Sequence, residues 1–108
     1  MGQAREAGQA YEALLERFPN DARAGLAAFE LGRLRMDSLK DLGGAAQALE
    51  RAVVLAKDAP FREEALARLT EAYAALGQNA ECARARDRYL KSYPNGAQQA
   101  AVRARCAP

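Results

Sequence analysis

The chain has 108 residues, a formal net charge of +2 and no histidine; half of its residues are hydrophobic, with alanine at 27 positions and only seven aromatic residues. This length suits one small domain, and so much alanine is typical of closely packed helices. Without histidine, a glycine-rich phosphate loop or an activated nucleophile, we expect no enzyme activity, no cofactor and no metal site. No stretch approaches the roughly 20 apolar residues of a membrane helix, so we expect no direct membrane insertion.

Two helices are predicted in the first third of the chain. Residues 3–17 carry apolar side chains at the helical spacing of Ala7, Tyr11 and Leu14. After Pro19, Asn20 or Asp21 can cap a second helix by accepting from its free amides. The apolar residues of this second helix are Leu26, Phe29, Leu31, Leu34 and Met36. Residues 37–44 include two adjacent glycines and predict a connection.

The middle of the chain predicts another helical pair. A third helix is expected over about 45–57, and Asp58 can cap the fourth helix. Pro60 suits the first turn of that fourth helix, where its missing amide hydrogen has no cost. Gly77 fits a C-terminal cap, because glycine adopts the left-handed conformation without a side-chain penalty.

Cations dominate the last part of the chain. Asn79 can cap a fifth helix that ends before Pro94, and residues 97–106 predict a final helix. From residue 79 onward six cations oppose two anions, a net charge of +4, while the rest of the chain carries −2. Three of these cations lie at i, i+2 and i+4, which does not form one basic stripe: Arg84, Arg86 and Arg88. We therefore expect an ion-paired, solvated helix face and no nucleic-acid partner.

The predicted helices repeat at a spacing of 37 to 38 residues. Three aligned triplets show this: Ala7, Tyr11 and Leu14, then Ala45, Leu49 and Ala52, then Cys82, Arg86 and Tyr89. Self-similarity of this length indicates stacked helical hairpins, so we expect one all-α domain of about six helices. Its expected parts are a half repeat 1–19, a repeat 20–58, a repeat 59–94 and a capping helix 96–106. Because the first copy is only a second helix, we expect the chain to be a piece of a longer protein.

A family resemblance lies in the third copy. Its residues stand at the spacings of the motif W-x2-L-G-x2-Y, A-x3-F, P: Leu66, Leu69, Thr70, Tyr73, Gly77, Cys82, Tyr89 and Pro94. The chain thus resembles the tetratricopeptide repeat (TPR) family, although leucine replaces the tryptophan, threonine the glycine, and Arg86 the second-helix aromatic. With Phe18-Pro19-Asn20 and Tyr93-Pro94-Asn95, it is similar to repeats of β-barrel assembly lipoproteins, Tol-Pal accessory proteins and C-terminal regions of FecR-type regulators.

The resemblance implies a right-handed α-solenoid of antiparallel helical hairpins. It also implies a protein-binding or scaffold module of a larger bacterial envelope or signalling protein, with a periplasmic or other extracytoplasmic location favoured. In this family the first helices of successive repeats line a concave groove. The residues that map to the groove are Leu26, Phe29, Arg33, Met36, Glu64, Ala67 and Glu71.

The groove residues suggest two kinds of contact with a protein or peptide partner. Phe29 and Met36 can supply apolar anchors, while Arg33, Glu64 and Glu71 can orient a polar segment. The alternative is that Phe29 and Met36 belong to the core or contact a repeat that precedes this piece of the protein. A different function is also open, in which the chain is a structural or homo-oligomerising segment that packs against its own chain or its copies.

The two cysteines lie at equal distances from the last predicted turn. Cys82 precedes Pro94 by twelve residues and Cys106 follows it by twelve. A hairpin turning there brings both thiols to the same height, so they can form a disulfide or remain two buried thiols. A disulfide would indicate an oxidising compartment.

Overall fold

Six helices and no strand make up residues 2–107, the part of the chain that the computed structural model describes. The helices are α1 (Gly2–Arg17), α2 (Ala22–Asp37), α3 (Leu42–Leu55), α4 (Arg62–Ala75), α5 (Asn79–Ser92) and α6 (Gln99–Arg105). The prediction of an all-α chain with about six helices is confirmed. A Cα radius of gyration of 13.4 Å is the value expected for a compact chain of this length. None of these helices combines the length and the apolar composition of a membrane-spanning helix.

The start of α2 follows the predicted capping chemistry. The Asp21 carboxylate accepts a hydrogen bond from the backbone N–H of Arg23, with an N–O distance of 2.8 Å. The guanidinium of Arg23 also donates to it. The side-chain hydrogen bond and then the backbone hydrogen bond lower the Asp21 pKa to about 2. The carboxylate therefore replaces the intrahelical acceptor that a first-turn amide lacks.

Helix α3 begins three residues earlier than the sequence predicted. The expected connection at 37–44 was too long, because Gly43 and Gly44 lie in the first turn of α3. The Asp41 carboxylate accepts from the Gly44 N–H at 3.0 Å and caps the helix. A β-carbon on Gly44 would collide with that carboxylate, so glycine here permits the cap.

Helix α4 begins later than predicted, at Arg62. Asp58 and Pro60 lie in the turn before it, so the predictions of an Asp58 cap and of a first-turn proline were wrong. No side chain caps α4, but two acidic residues in its first turn favour the helix dipole. At the other end, Gly77 has a φ of +73° beyond the C-terminus of α4, which confirms the predicted role of glycine there.

Helices that follow one another in the chain pack against one another, and α4 also contacts α6. This is the repeat-like helical packing that the sequence spacing predicted. Between α2 and α3 the approach is close: a β-carbon on Gly25 would lie 2.9 Å from Cβ of Ala56, and one on Gly32 would lie 2.6 Å from Cγ of Leu49. Small residues thus let two helix backbones approach, and the core consists largely of alanines around a few leucines.

Candidate functional site

The predicted groove residues lie on two helices whose side chains meet. Helix α2 supplies Leu26, Phe29, Arg33 and Met36, and α4 supplies Glu64, Ala67 and Glu71. Contacts between the two helices run along this side of the molecule through both aromatic and charged groups. We call the exposed part of this surface the α2–α4 face, defined by Leu26, Arg33, Glu64, Arg68 and Glu71.

The larger apolar residues of the predicted groove are buried. Phe29 is 4% exposed and its ring stacks on Phe61 with centroids 5.0 Å apart. Met36 is 7% exposed and Ala67 is also buried. This burial agrees with the alternative in which Phe29 and Met36 belong to the core. Leu26, at 49% exposure, is the predicted groove residue that offers a large apolar side chain to solvent.

Ion pairs connect α2 to α4 along the face. The Arg33 guanidinium lies 3.3 Å from Glu30 on its own helix and 3.8 Å from Glu64 on α4. In the opposite sense, Arg68 on α4 donates to Glu64 at 2.9 Å and to Asp37 on α2 at 3.1 Å. Five charged side chains therefore hold one another in fixed positions across the two helices.

Helix α6 extends this line of charges. Arg105 donates to Glu71 at 3.0 Å, with both side chains about four-tenths exposed. Sequence reasoning counted Arg105 only as part of the basic C-terminal region. Its position 37 residues after Arg68, which is one repeat, was the signal that could have identified it.

Two arginines of the face have different electrostatic surroundings. Burial lowers the pKa of Arg68, but the hydrogen bonds that it donates to Glu64 and Asp37 outweigh this and raise the pKa. Arg33 lies over the ring of Phe29, with its guanidinium carbon 5.6 Å from the ring centre. The Nε atom of Arg33 is buried and has no hydrogen-bond partner among the described residues. The Arg33 side chain as a whole is 43% exposed, so the rest of its guanidinium stays within reach of a bound acceptor.

A second set of polar contacts between helices repeats along the chain. Arg35 on α2 donates to Glu12 on α1 at 2.8 Å. Tyr73, one repeat later, lies near Glu50 on α3; burial and then the charge of Glu50 raise the Tyr73 pKa. Each pair is 23 residues apart, so the same two positions join successive hairpins. The repeat spacing aligns Arg35 with Tyr73, but it does not reveal the carboxylate that Arg35 contacts.

Every member of the arginine cluster on α5 has an anionic neighbour. Arg84 pairs with Glu81 at 3.1 Å and Arg86 with Asp87 at 3.2 Å. The third guanidinium, that of Arg88, lies 3.1 Å from Glu50 on α3. The cluster therefore forms the ion-paired helix face that the sequence favoured.

A disulfide joins Cys82 to Cys106. Their Cα atoms are 5.7 Å apart, within the usual range for a bonded pair. The bond connects the first turn of α5 to the residue after α6, across the hairpin that the proline-containing turn forms. Of the two possibilities left open by the sequence, a disulfide and two buried thiols, the structure has the disulfide.

The turn between α5 and α6 is held by a network that the sequence did not reveal. The hydroxyl of the fully buried Tyr89 donates to Glu63 at 2.7 Å and accepts from the Gln98 N–H at 3.0 Å. The Glu63 carboxylate also accepts from the Ala97 N–H at 3.1 Å. A β-carbon on Gly96 would lie 2.5 Å from both the carboxylate and the hydroxyl, so the network requires glycine there. Burial and then Glu63 raise the Tyr89 pKa.

Between residues 2 and 107 no group of three or more histidine, cysteine, aspartate or glutamate side chains is placed to hold a metal ion. Searches against protein-family models and against curated proteins returned no match for this chain.

Proposed function

We propose that this chain is a non-catalytic protein-interaction module, a right-handed TPR-like solenoid that binds a segment of a protein partner along the α2–α4 face. The supporting geometry is a line of half-exposed charged side chains from α2, α4 and α6. Because these side chains already hold one another through ion pairs, a partner can contact them without first ordering them.

One observation carries the proposal: Leu26 and Arg33 offer an apolar and a cationic contact to solvent on the same helix. Leu26 is 49% exposed, and the side chain of Arg33 is 43% exposed. The two residues are seven positions apart, which is two helical turns or about 10 Å. An extended peptide covers that distance in about three residues. The preferred ligand is therefore an extended segment with an apolar side chain and, three residues away, an aspartate or glutamate.

The disulfide supports a location outside the cytoplasm. A bond between Cys82 and Cys106 forms and persists in oxidising compartments such as the bacterial periplasm. Together with the family resemblance, this favours a scaffold role within a larger envelope or signalling protein.

A displayed peptide library tests the proposal. Peptides with an apolar residue and an acidic residue at fixed and varied spacings are selected on the oxidised protein, and their affinities are measured by titration calorimetry. We expect a spacing of three to be enriched, and we expect Leu26→Ser and Arg33→Gln each to weaken binding about tenfold.

The matched control is Arg84→Gln, which removes an exposed, ion-paired guanidinium from α5, away from the face. This variant should bind the selected peptides with unchanged affinity. The proposal fails if the peptides bind the Leu26 and Arg33 variants as well as the unaltered protein, or if Arg84→Gln weakens them equally. Thermal melting of each variant separates a loss of contact from a loss of fold.

A further inference from the structure

The internal repeat shows how one apolar stripe is covered on two of the helices. On α3 the stripe is buried, with exposures between 0 and 8%: Ala45, Ala48, Ala52 and Ala56. On α5 the first three corresponding residues are buried equally well, and Tyr93 at the fourth position is half-buried: Cys82, Ala85, Tyr89 and Tyr93. Helix α2 lies against the first stripe and α4 against the second, as the close approach of Gly25 to Ala56 and the contact of Cys82 with the Thr70 carbonyl show.

The same stripe on α1 is mostly open to solvent in the described part of the chain, with its first residue half-buried and the other three exposed. It consists of Ala7, Ala10, Leu14 and, one residue beyond the helix, Phe18. Leu14 is 37% exposed, and Phe18 is 43% exposed although two guanidinium groups lie within 5.8 Å of its ring centre. Ala10 is exposed as well. The positions that a neighbouring helix covers on α3 and α5 thus form an apolar strip on α1, which we call the α1 stripe.

We propose that the α1 stripe pairs with the α1 stripe of a second copy of this chain, with the two helices antiparallel about a two-fold axis. Small and large residues alternate along the stripe, so a small residue of one copy can face a large residue of the other. When Ala7 of one copy faces Leu14 of the other, the reciprocal pair forms by symmetry. Ala10 then lies beside the axis, where small side chains let the helices approach. A parallel pair would instead oppose Ala7 to Ala7 and Leu14 to Leu14, leaving a gap beside a bulge.

Charge complementarity supports the antiparallel arrangement. Glu6 and Arg17 are both exposed and lie on the same edge of the α1 stripe, because their separation of eleven residues is close to three helical turns. In the antiparallel register, Glu6 of each copy comes beside Arg17 of the other, giving two intermolecular ion pairs. Glu12 lies on the other side of α1, where Arg35 of its own copy holds it.

The size of the contact predicts a weak dimer. A helix of 16 residues is about 24 Å long, so an interface along α1 buries at most roughly 1,200 Å² in total. We therefore expect a dissociation constant in the micromolar range. No residue of the α2–α4 face takes part, so this inference does not depend on the proposed peptide-binding function.

Sedimentation equilibrium of the oxidised protein is the first test. The average mass should rise from the monomer value of 11.7 kDa towards twice that value as concentration increases. Leu14→Glu should keep the protein monomeric over the same range. Val54→Glu is the matched control, because Val54 is the most exposed large apolar residue, at 61%, and lies on α3. It should dimerise normally.

Charge reversal and crosslinking test the register. Glu6→Arg and Arg17→Glu should each weaken the dimer by roughly tenfold, and the double variant should recover it, since it restores both ion pairs. Ala10→Cys should give a covalent dimer under mild oxidation, whereas Gln9→Cys, exposed on the opposite side of the helix at nearly the same height, should not.

Several results would overturn the proposal. One is a monomeric mass at all concentrations, and another is a mass that grows beyond the dimer, as an open head-to-tail chain would. A dimer that tolerates Leu14→Glu, or no recovery in the charge-reversed double variant when thermal melting shows it folded, would also refute the α1 pairing. Equal crosslinking of the two cysteine variants would refute the register.

Discussion

Reduction of the disulfide between Cys82 and Cys106 should destabilise the protein strongly, and unfolding should begin at the C-terminal end. The bond links α5 to α6, and α6 has seven residues, of which only Val102 is buried. Because so little core surface holds α6, its attachment depends on the disulfide and on the hydrogen bonds around Tyr89. After reduction we expect α6 to detach before the other helices unfold.

The loop length sets the magnitude of this effect. A separation of 24 residues closes a loop for which the chain-entropy relation gives about 3.5 kcal/mol at 25 °C. A domain of this size has a total stability of about 5–15 kcal/mol, so the bond contributes a large share. The corresponding decrease in melting temperature is about 15 °C.

Calorimetric melts with and without a thiol reductant measure the decrease, and native-state hydrogen exchange shows where it begins. Amides of residues 99–105 should exchange faster after reduction, while those of α3 should change least. A Cys82→Ala/Cys106→Ala variant is the control: it should melt like the reduced protein and should not respond to reductant. The reasoning is refuted if oxidised and reduced proteins melt at the same temperature, or if exchange increases evenly over all helices.

Three further predictions concern packing and titration. Gly32→Ala places a β-carbon 2.6 Å from Cγ of Leu49 and should lower the free energy of unfolding by about 1 kcal/mol. Gly43→Ala has open space around it and should raise the free energy of unfolding by up to about 1 kcal/mol. Urea titrations that show no difference between the two variants would contradict this. Because the pKa of Tyr89 is raised in the folded state, its neutral form contributes stability that should be lost as the pH rises above 10; a Tyr89→Phe variant should lose less over that range. Because the Asp21 pKa is lowered to about 2 from 3.8, its ionised form contributes stability that should be lost as the pH falls from 3.8 towards 2. Asp21→Asn should remove this pH-dependent part of the stability. An Asp21→Asn variant whose stability falls with acid in the same way as the unaltered protein would count against the prediction.

Helix content could be predicted from the sequence wherever local chemistry determines it. The Asp21 cap and the left-handed Gly77 follow from interactions within a few residues, and both were found. The start of α3 was missed because adjacent glycines disfavour helix, yet Asp41 caps the turn that contains them. The start of α4 was missed because the turn before it extends past Pro60, and nothing local fixes that length.

The candidate site was predictable in position but not in exposure. Helical spacing placed Leu26, Phe29 and Arg33 on one side of α2. Whether Phe29 is exposed depends on Phe61, which lies in the turn before α4 and stacks on its ring. That contact spans 32 residues and involves an irregular segment, so the periodicity of α2 could not indicate it. The charged members of the set were easier to place, because their partners lie on helices whose register the repeat spacing defines.

The contacts of Glu63 also join residues that are distant in sequence, so the sequence could not indicate them. The place of Glu63 in the first turn of α4 indicates only a charge that favours the helix dipole. In the structure its carboxylate accepts from Tyr89 and from Ala97, which are 26 and 34 residues away. These contacts exist only because Gly96 leaves room for them, and neither partner has a sequence pattern that identifies it.

The order of helix contacts also has a consequence for how the chain acquires its disulfide. Each helix packs mainly on its neighbours in the chain, so most native contacts close short loops, and such chains fold quickly. The pairing of Cys82 with Cys106 needs only α4, α5 and α6 to come together. Oxidation therefore requires only this end of the molecule to be folded and does not depend on the packing of α1 and α2.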